Sequence, residues 1–145
     1  MPAESTGALF SATFSAIVGG VAGALVAGIF NFFAVKKNRI DIKLDALENA
    51  LVTFRDAAVT YWRSQGMNDG LERQIITLSE SLDLRVSALE KHGFKKHNIQ
   101  AARNLAIELW EVSTSGTFQT KNRQRDRDKV DKIRSLCDRI LSTVS

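Results

Sequence analysis

Between Glu4 and Lys36 the sequence carries no charged residue, and all twenty of its Lys and Arg lie at or beyond Lys36. The uncharged stretch from Gly7 to Val35 exceeds the ~20 apolar residues that a helix needs to cross a bilayer. A single chain crosses hydrocarbon only as a helix, because its backbone groups then satisfy one another. Residues 7–35 therefore read as a transmembrane helix. A buried core helix is the alternative, although such helices are usually shorter and keep a polar face. Cysteine is nearly missing too. The lone Cys137 excludes an intramolecular disulfide and fits a reducing compartment. Its neighbours Val130, Ile133, Leu136 and Ile140 make it a small buried hydrophobe.

The marks of common enzymes are also absent. There is no GxxxxGK[ST], no HExxH, no Gly-rich dinucleotide loop and no recognisable Cys–His pairing. Acids such as Glu48, Asp56, Glu72, Glu80 and Glu90 fall mostly on polar helix faces. His92 and His97 stand five apart with no Cys or carboxylate cluster beside them, so no metal is expected. The chain is expected to be neither an enzyme nor a holder of a cofactor.

A cleaved signal peptide carries its positive charge before the apolar region. Here Lys36, Lys37 and Arg39 follow it. The positive-inside bias then puts the polar tail, residues 1–6, outside a bacterial inner membrane and residues 36–145 in the cytoplasm. What remains beyond the span suffices for one small domain. That domain holds twenty Lys and Arg against fifteen acids, a mild basic excess that favours anionic partners. Lys36, Lys37 and Arg39 are placed to meet lipid headgroups. Inside the span, small residues recur every four positions in two adjacent rows: Ser11, Ser15, Gly19, Gly23, Ala27 and Ala12, Ala16, Gly20, Ala24, Gly28. Residues four apart share a helical face, so Gly19, Gly20, Gly23, Ala24, Ala27 and Gly28 offer a smooth surface for a second copy of the helix. Homo-oligomerisation through this face is the expectation.

Helical periodicity continues beyond the basic boundary. Ile40, Leu44, Leu47, Leu51, Phe54, Ala58 and Tyr61 alternate four and three apart, the seam of a bundle helix over residues 38–65. Gly66 ends it, and Met67-Asn68-Asp69-Gly70 forms a turn. A second helix over 71–91 carries Leu71, Ile75, Leu78, Leu82, Val86 and Leu89, and Gly93 stops it. A third over 98–113 starts with Asn98 as N-cap and buries Ile99, Ala102, Leu105, Ala106, Leu109 and Trp110. A fourth over 126–144 buries Val130, Ile133, Leu136, Cys137, Ile140 and Val144. Nothing alternates with period two. The expected fold is all-α: an N-terminal transmembrane helix running into a cytosolic bundle of about four helices.

The least generic segment is Ser113-Thr114-Ser115-Gly116-Thr117-Phe118-Gln119-Thr120-Lys121-Asn122-Arg123-Gln124-Arg125. Hydroxyls, backbone amides in a Gly-containing turn and nearby Lys and Arg together suit a phosphate or another anion. The helix N-terminus that follows favours the same charge. Ser113, Thr114, Ser115, Gly116, Thr117, Gln119, Lys121, Arg123 and Arg125 are the candidate ligand contacts, and Phe118 could stack on a base. A solvated loop that caps the third helix, with Phe118 folded back on the core, is the competing reading. Trp62, which closes the first soluble helix with Arg63, and Trp110 suit core or rim packing.

The Tyr61-Trp62-Arg63 helix end and the run from Ser113 to Arg123 resemble features of small bacterial inner-membrane proteins with N-terminal spans and a helical cytosolic domain. Some CRISPR-associated membrane effectors, activated by cyclic oligoadenylate, share that plan. The resemblance implies an oligomer whose cytosolic domains bind a phosphate-rich second messenger and then perturb the membrane. Long nucleic acid is not an expected partner. An adaptor that recruits a protein through its cytosolic bundle is the second expectation.

Overall fold

The computed structural model describes the backbone of residues 5–144 and the side chains of residues 31–144. Among the described residues there are four α-helices and no strand. They are α1 Ser5–Arg63, α2 Asp69–Glu90, α3 Lys96–Thr114 and α4 Arg127–Val144. The all-α class and the three later helices match the periodicity of the sequence to within two residues at each end. The expected helix over 38–65 is the C-terminal part of α1.

The chain divides into two compact units, Met1–Arg39 and Ile40–Ser145. Of the first, Phe32 and Phe33 meet edge to face with centroids 6.0 Å apart, and both are exposed. The side chains of residues 7–30 lie outside the described residues. With them lie most of the expected span and the whole expected oligomer face of Gly19, Gly20, Gly23, Ala24, Ala27 and Gly28. Among the described residues, no helix is long and apolar enough to cross a membrane.

The second unit is built on one apolar core to which all four helices contribute a stripe. From α1 come Leu47, Leu51, Phe54, Ala58 and Tyr61, all buried, with Ile40 and Leu44 half-buried at the start of the seam. Their alternating spacing keeps each side chain on one face of a 3.6-residue helix. Ile75, Leu82, Val86 and Leu89 do the same for α2, and Ile99, Ala102 and Leu109 for α3. The six residues assigned to the fourth stripe, Val130 to Val144, are all buried.

Local signals set most of the helix ends. Gly66 takes φ +76°, a left-handed conformation that costs a glycine nothing, and so reverses the chain after α1. Asn68 then caps α2: its Oδ1 accepts from the Leu71 amide at 3.0 Å, while Glu72 Oε1 accepts from the Asn68 amide at 3.3 Å. This reciprocal pair satisfies two amides that have no partner within the helix.

Two expectations need correction. Asn98 does not cap α3. The N-cap is Lys95, whose carbonyl accepts from the amides of Asn98 and Ile99, and no side chain caps this end. Phe94 packs against the core, so the chain is already anchored before Lys95 and enters the helix earlier than a capping side chain would require. Trp110 is not buried either. It is 36% exposed and stands on the outer edge of α3, because Leu109 takes the core-facing position of that turn.

Cys137 is buried, and desolvation pushes its thiol up to about 12, against a lesser opposing pull from Arg55. A thiol reacts as its thiolate. Iodoacetamide at pH 8 should therefore leave Cys137 unlabelled in the folded protein and label it fully in denaturant, as read by mass spectrometry.

Candidate functional site

The C-terminal turn of α1 ends inside the protein, which creates a chemical problem. The last carbonyls of any helix have no partner within the helix and carry the negative end of its dipole. Here Arg123, from the α3–α4 connection, supplies the donors. Its Nη1 donates to the carbonyl of Tyr61 and to that of Ser64 at 2.7 Å. Its Nη2 donates to Ser64 Oγ at 3.1 Å and to the carbonyl of Gly66 at 2.5 Å. The guanidinium carbon lies 3.7 Å from the centroid of the Tyr61 ring, a cation–π contact that helps to offset burial of the charge. Arg123 is only 1% exposed. Its sequence role as a ligand contact does not fit this geometry, since four of its five N–H groups already serve the backbone and a neighbouring hydroxyl, and the fifth, on Nε, is buried without a partner among the described residues.

The rest of the connection is laced to the same end. Two backbone bonds, Gly66 N to Arg123 O and Asp126 N to Trp62 O, both 3.0 Å, tie it to the residues around the end of α1. Trp62 Nε1 donates to the Ser113 carbonyl at 3.0 Å, joining α1 to the end of α3. The Tyr61 hydroxyl donates to Glu72 Oε1 at 2.8 Å and accepts from the Gln119 amide at 3.0 Å. Burial raises the Tyr61 phenol above its usual pKa, opposed by the Gln119 bond and assisted by Glu72.

The ten candidate contacts therefore separate. Ser113 and Arg123 are buried, and Phe118 is half-buried, packed on the core with its ring tilted on Tyr61 at 5.1 Å. Thr114 turns its hydroxyl back to the Trp110 carbonyl at 2.8 Å. Ser115 accepts from Lys129 Nζ at its carbonyl (2.5 Å) and its Oγ (3.2 Å). Thr117 accepts from both the amide and the hydroxyl of Thr120. Gly116 and Gln119 take positive φ and turn the chain, and Lys121 is exposed. Only Arg125 joins a cluster of like residues facing a cavity.

That cavity, about 450 Å³, is lined by Trp62, Arg63, Arg125, Asp126, Arg127, Val130, Asp131 and Arg134. Four arginines thus face two aspartates. Each aspartate has one neighbour: Asp126 Oδ1 accepts from the Lys129 amide at 3.0 Å, and the exposed Asp131 lies 3.8 Å from Arg134. Among the described residues, Arg63, Arg125 and Arg127 form no ion pair. The N-terminal turn of α4 forms one wall, so the positive end of its dipole adds to the same field. Lys129 from this turn sits over the Trp62 ring, 3.8 Å from its centroid. Desolvation lowers its pKa, against a smaller upward pull from Asp126.

Arg134 escaped the sequence reading. A signal was present, since Arg127 and Arg134 are seven apart and share a face of α4 with Val130 and Asp131. Nothing local linked that face to Arg63, on another helix.

A second cavity of about 540 Å³ lies between α2 and α3 and is mostly apolar. Leu84 and Ile107, 71% and 58% exposed, flank it with Trp110. Glu80 and Asp83 stand at its rim, where Arg103 is held by Ser87 (3.0 Å) and Glu90 (3.4 Å).

No protein-family model, curated protein or solved structure matches the chain.

Hydrogen bonds to a charged group contribute about 1.5–3 kcal/mol each. Arg123→Met should therefore lower unfolding stability by about 3 kcal/mol or more in urea titration. Arg123→Lys keeps the charge but loses the planar fork, and should recover less than half of that loss. Arg125→Met, at an exposed position, should change stability by less than about 0.5 kcal/mol.

Proposed function

We propose that this chain is a membrane-anchored effector whose helical domain binds an anionic, cyclic-nucleotide-like ligand and acts on the membrane. The observation that carries this reading is the cavity formed by Arg63, Arg125, Arg127 and Arg134, three of which have no counter-ion among the described residues. Guanidinium groups match phosphate oxygens in paired, charge-assisted hydrogen bonds. The cavity adjoins the C-terminal turn of α1, the helix whose earlier residues carry the uncharged stretch 7–35. A ligand there meets the helix that leads to the proposed anchor. It drives a change only if it prefers one state of the protein to the other.

Membrane anchoring by residues 7–35, self-association through the Gly19–Gly28 face and a cytoplasmic bundle belong to the same proposal. The charge distribution supports the orientation, and the resemblance to CRISPR-associated membrane effectors supports a role in antiviral defence. Among the described residues, no group of His, Cys, Asp and Glu could hold a metal ion.

A second reading, an adaptor that recruits a protein, is favoured by the apolar cavity between α2 and α3. Leu84, Ile107 and Trp110 would receive the apolar face of a partner helix, and Glu80 and Asp83 would meet basic residues at its flank.

Titration of the detergent-solubilised full chain with cyclic tetra-adenylate and cyclic hexa-adenylate tests the first reading. Arg63→Ala combined with Arg127→Ala should weaken binding at least tenfold, and raised salt should weaken the wild type. The melting temperature should stay within about 2 °C, since neither exposed side chain has an ion-pair partner among the described residues. Leu84→Glu combined with Ile107→Glu should leave anion binding intact and abolish pull-down of any adaptor partner. An unaltered pull-down by that variant removes the second reading.

A further inference from the structure

We infer, on the reading that residues 7–35 anchor the chain in a bilayer, that the end of the bundle where α1 enters is a contact surface for anionic lipid headgroups. The path of the helices gathers this surface from points far apart in sequence. α1 and α2 run antiparallel: Tyr61 meets Glu72 at one end, and at the other Lys43 and Ala46 line a cavity of about 260 Å³ with Ser81, Leu84, Arg85 and Ala88. α3 runs back again, since Arg103 reaches Ser87 and Glu90, whereas Ser113 meets Trp62. The α2–α3 connection, residues 91–95, is thereby brought to the end of the bundle that holds Ile40 and Lys43.

Five basic side chains collect there. Lys43, Arg85, Lys91, Lys95 and Lys96 are all exposed, and among the described residues none forms an ion pair. Ser81 Oγ accepts from Arg85 Nε at 3.2 Å. The acids of this end are Asp41, Asp45 and Glu90, and Glu90 already pairs with Arg103 at 3.4 Å. The last turn of α4, which comes beside Ala101, carries no charge. Phe94 packs on the core, so the connection is pinned while its lysines stay in solvent. Exposed Ile42 and Leu84 adjoin Lys43 and Arg85 in the chain. Basic side chains around exposed apolar ones suit an anionic bilayer, which attracts the charges and admits the apolar groups between its headgroups.

Distance favours this end over the arginine cavity. Lys43 follows Val35 by eight residues, about 12 Å of helix. Surface potential decays over a Debye length of about 8 Å, so it still acts there. The 22 residues of α2, about 33 Å, separate this end from the turn beside Arg63, where the potential is screened out.

The full chain in nanodiscs provides the test, with headgroup-spin-labelled phosphatidylcholine as a quencher. An iodoacetamide-linked fluorophore is placed at His97→Cys, in the first turn of α3, or at Gln124→Cys, beside the arginine cavity. Burial of Cys137 keeps the label off that residue. In discs containing phosphatidylglycerol the label at 97 should be quenched at least threefold more than in pure phosphatidylcholine, and the label at 124 equally in both. Raised salt should remove the difference, as should Lys91→Gln, Lys95→Gln and Lys96→Gln combined, with circular dichroism unchanged. Equal quenching at 97 in the two lipids, or a difference that survives the triple variant, would overturn the inference and leave the anchor standing. A chain that does not enter the discs removes the anchor, and this surface with it.

Discussion

A buried helix end depends on donors that the helix cannot supply. In this protein the α3–α4 connection supplies them: the Asp126 amide serves the Trp62 carbonyl, and the side chain of Arg123 reaches the carbonyls of Tyr61, Ser64 and Gly66. The positive charge is stabilised by the negative end of the α1 dipole, by the carbonyl oxygens and by the face of Tyr61, and among the described residues no carboxylate pairs with it. This contact holds the connection against α1, and with it the start of α4. The placement of Arg125 and Arg127 beside Arg63 follows from it. A buried arginine thus organises the surface on which other arginines are left exposed.

The two roles differ in how their charges are balanced. Arg123 has four of its five N–H groups filled from within and is buried, so an incoming anion has little to gain there and the protein much to lose. Arg63, Arg125 and Arg127 are solvated and unpaired among the described residues, so a ligand meets charges that need not first be freed from another partner. The neighbouring aspartates moderate the field without cancelling it. The apolar cavity between α2 and α3 is a separate surface with different chemistry, since its exposed Leu84 and Ile107 gain by leaving water rather than by neutralising charge. The two surfaces share no lining residue, so substitutions at one leave the other unaltered.

The helical content was legible because burial follows periodicity. Leu47, Leu51, Phe54, Ala58 and Tyr61 on α1, and Val130 to Val144 on α4, are buried as their spacing requires. The turn at Gly66 to Gly70 was legible because left-handed backbone and Asn capping leave residue-level marks. Asn98 and Trp110 misled for one shared reason. Each has the right type for its expected role, but the packing of Phe94 and Leu109 took the position first. Arg123 misled more deeply. A basic residue in a hydroxyl-rich loop looks the same in sequence whether it faces solvent or a helix terminus sixty residues away.

By itself the sequence determined an all-helical chain, four segments with their core-facing stripes, an uncharged stretch before Lys36 and a basic remainder. These are local properties, set by spacing, composition and turn chemistry within a few residues. Tertiary structure alone decided which basic residues are consumed and which remain free. That outcome depends on what each guanidinium meets across the fold. Arg123 meets the end of α1 and disappears into the core, while Arg125, two residues on, faces a cavity that Arg134 from α4 and the distant Arg63 from α1 complete.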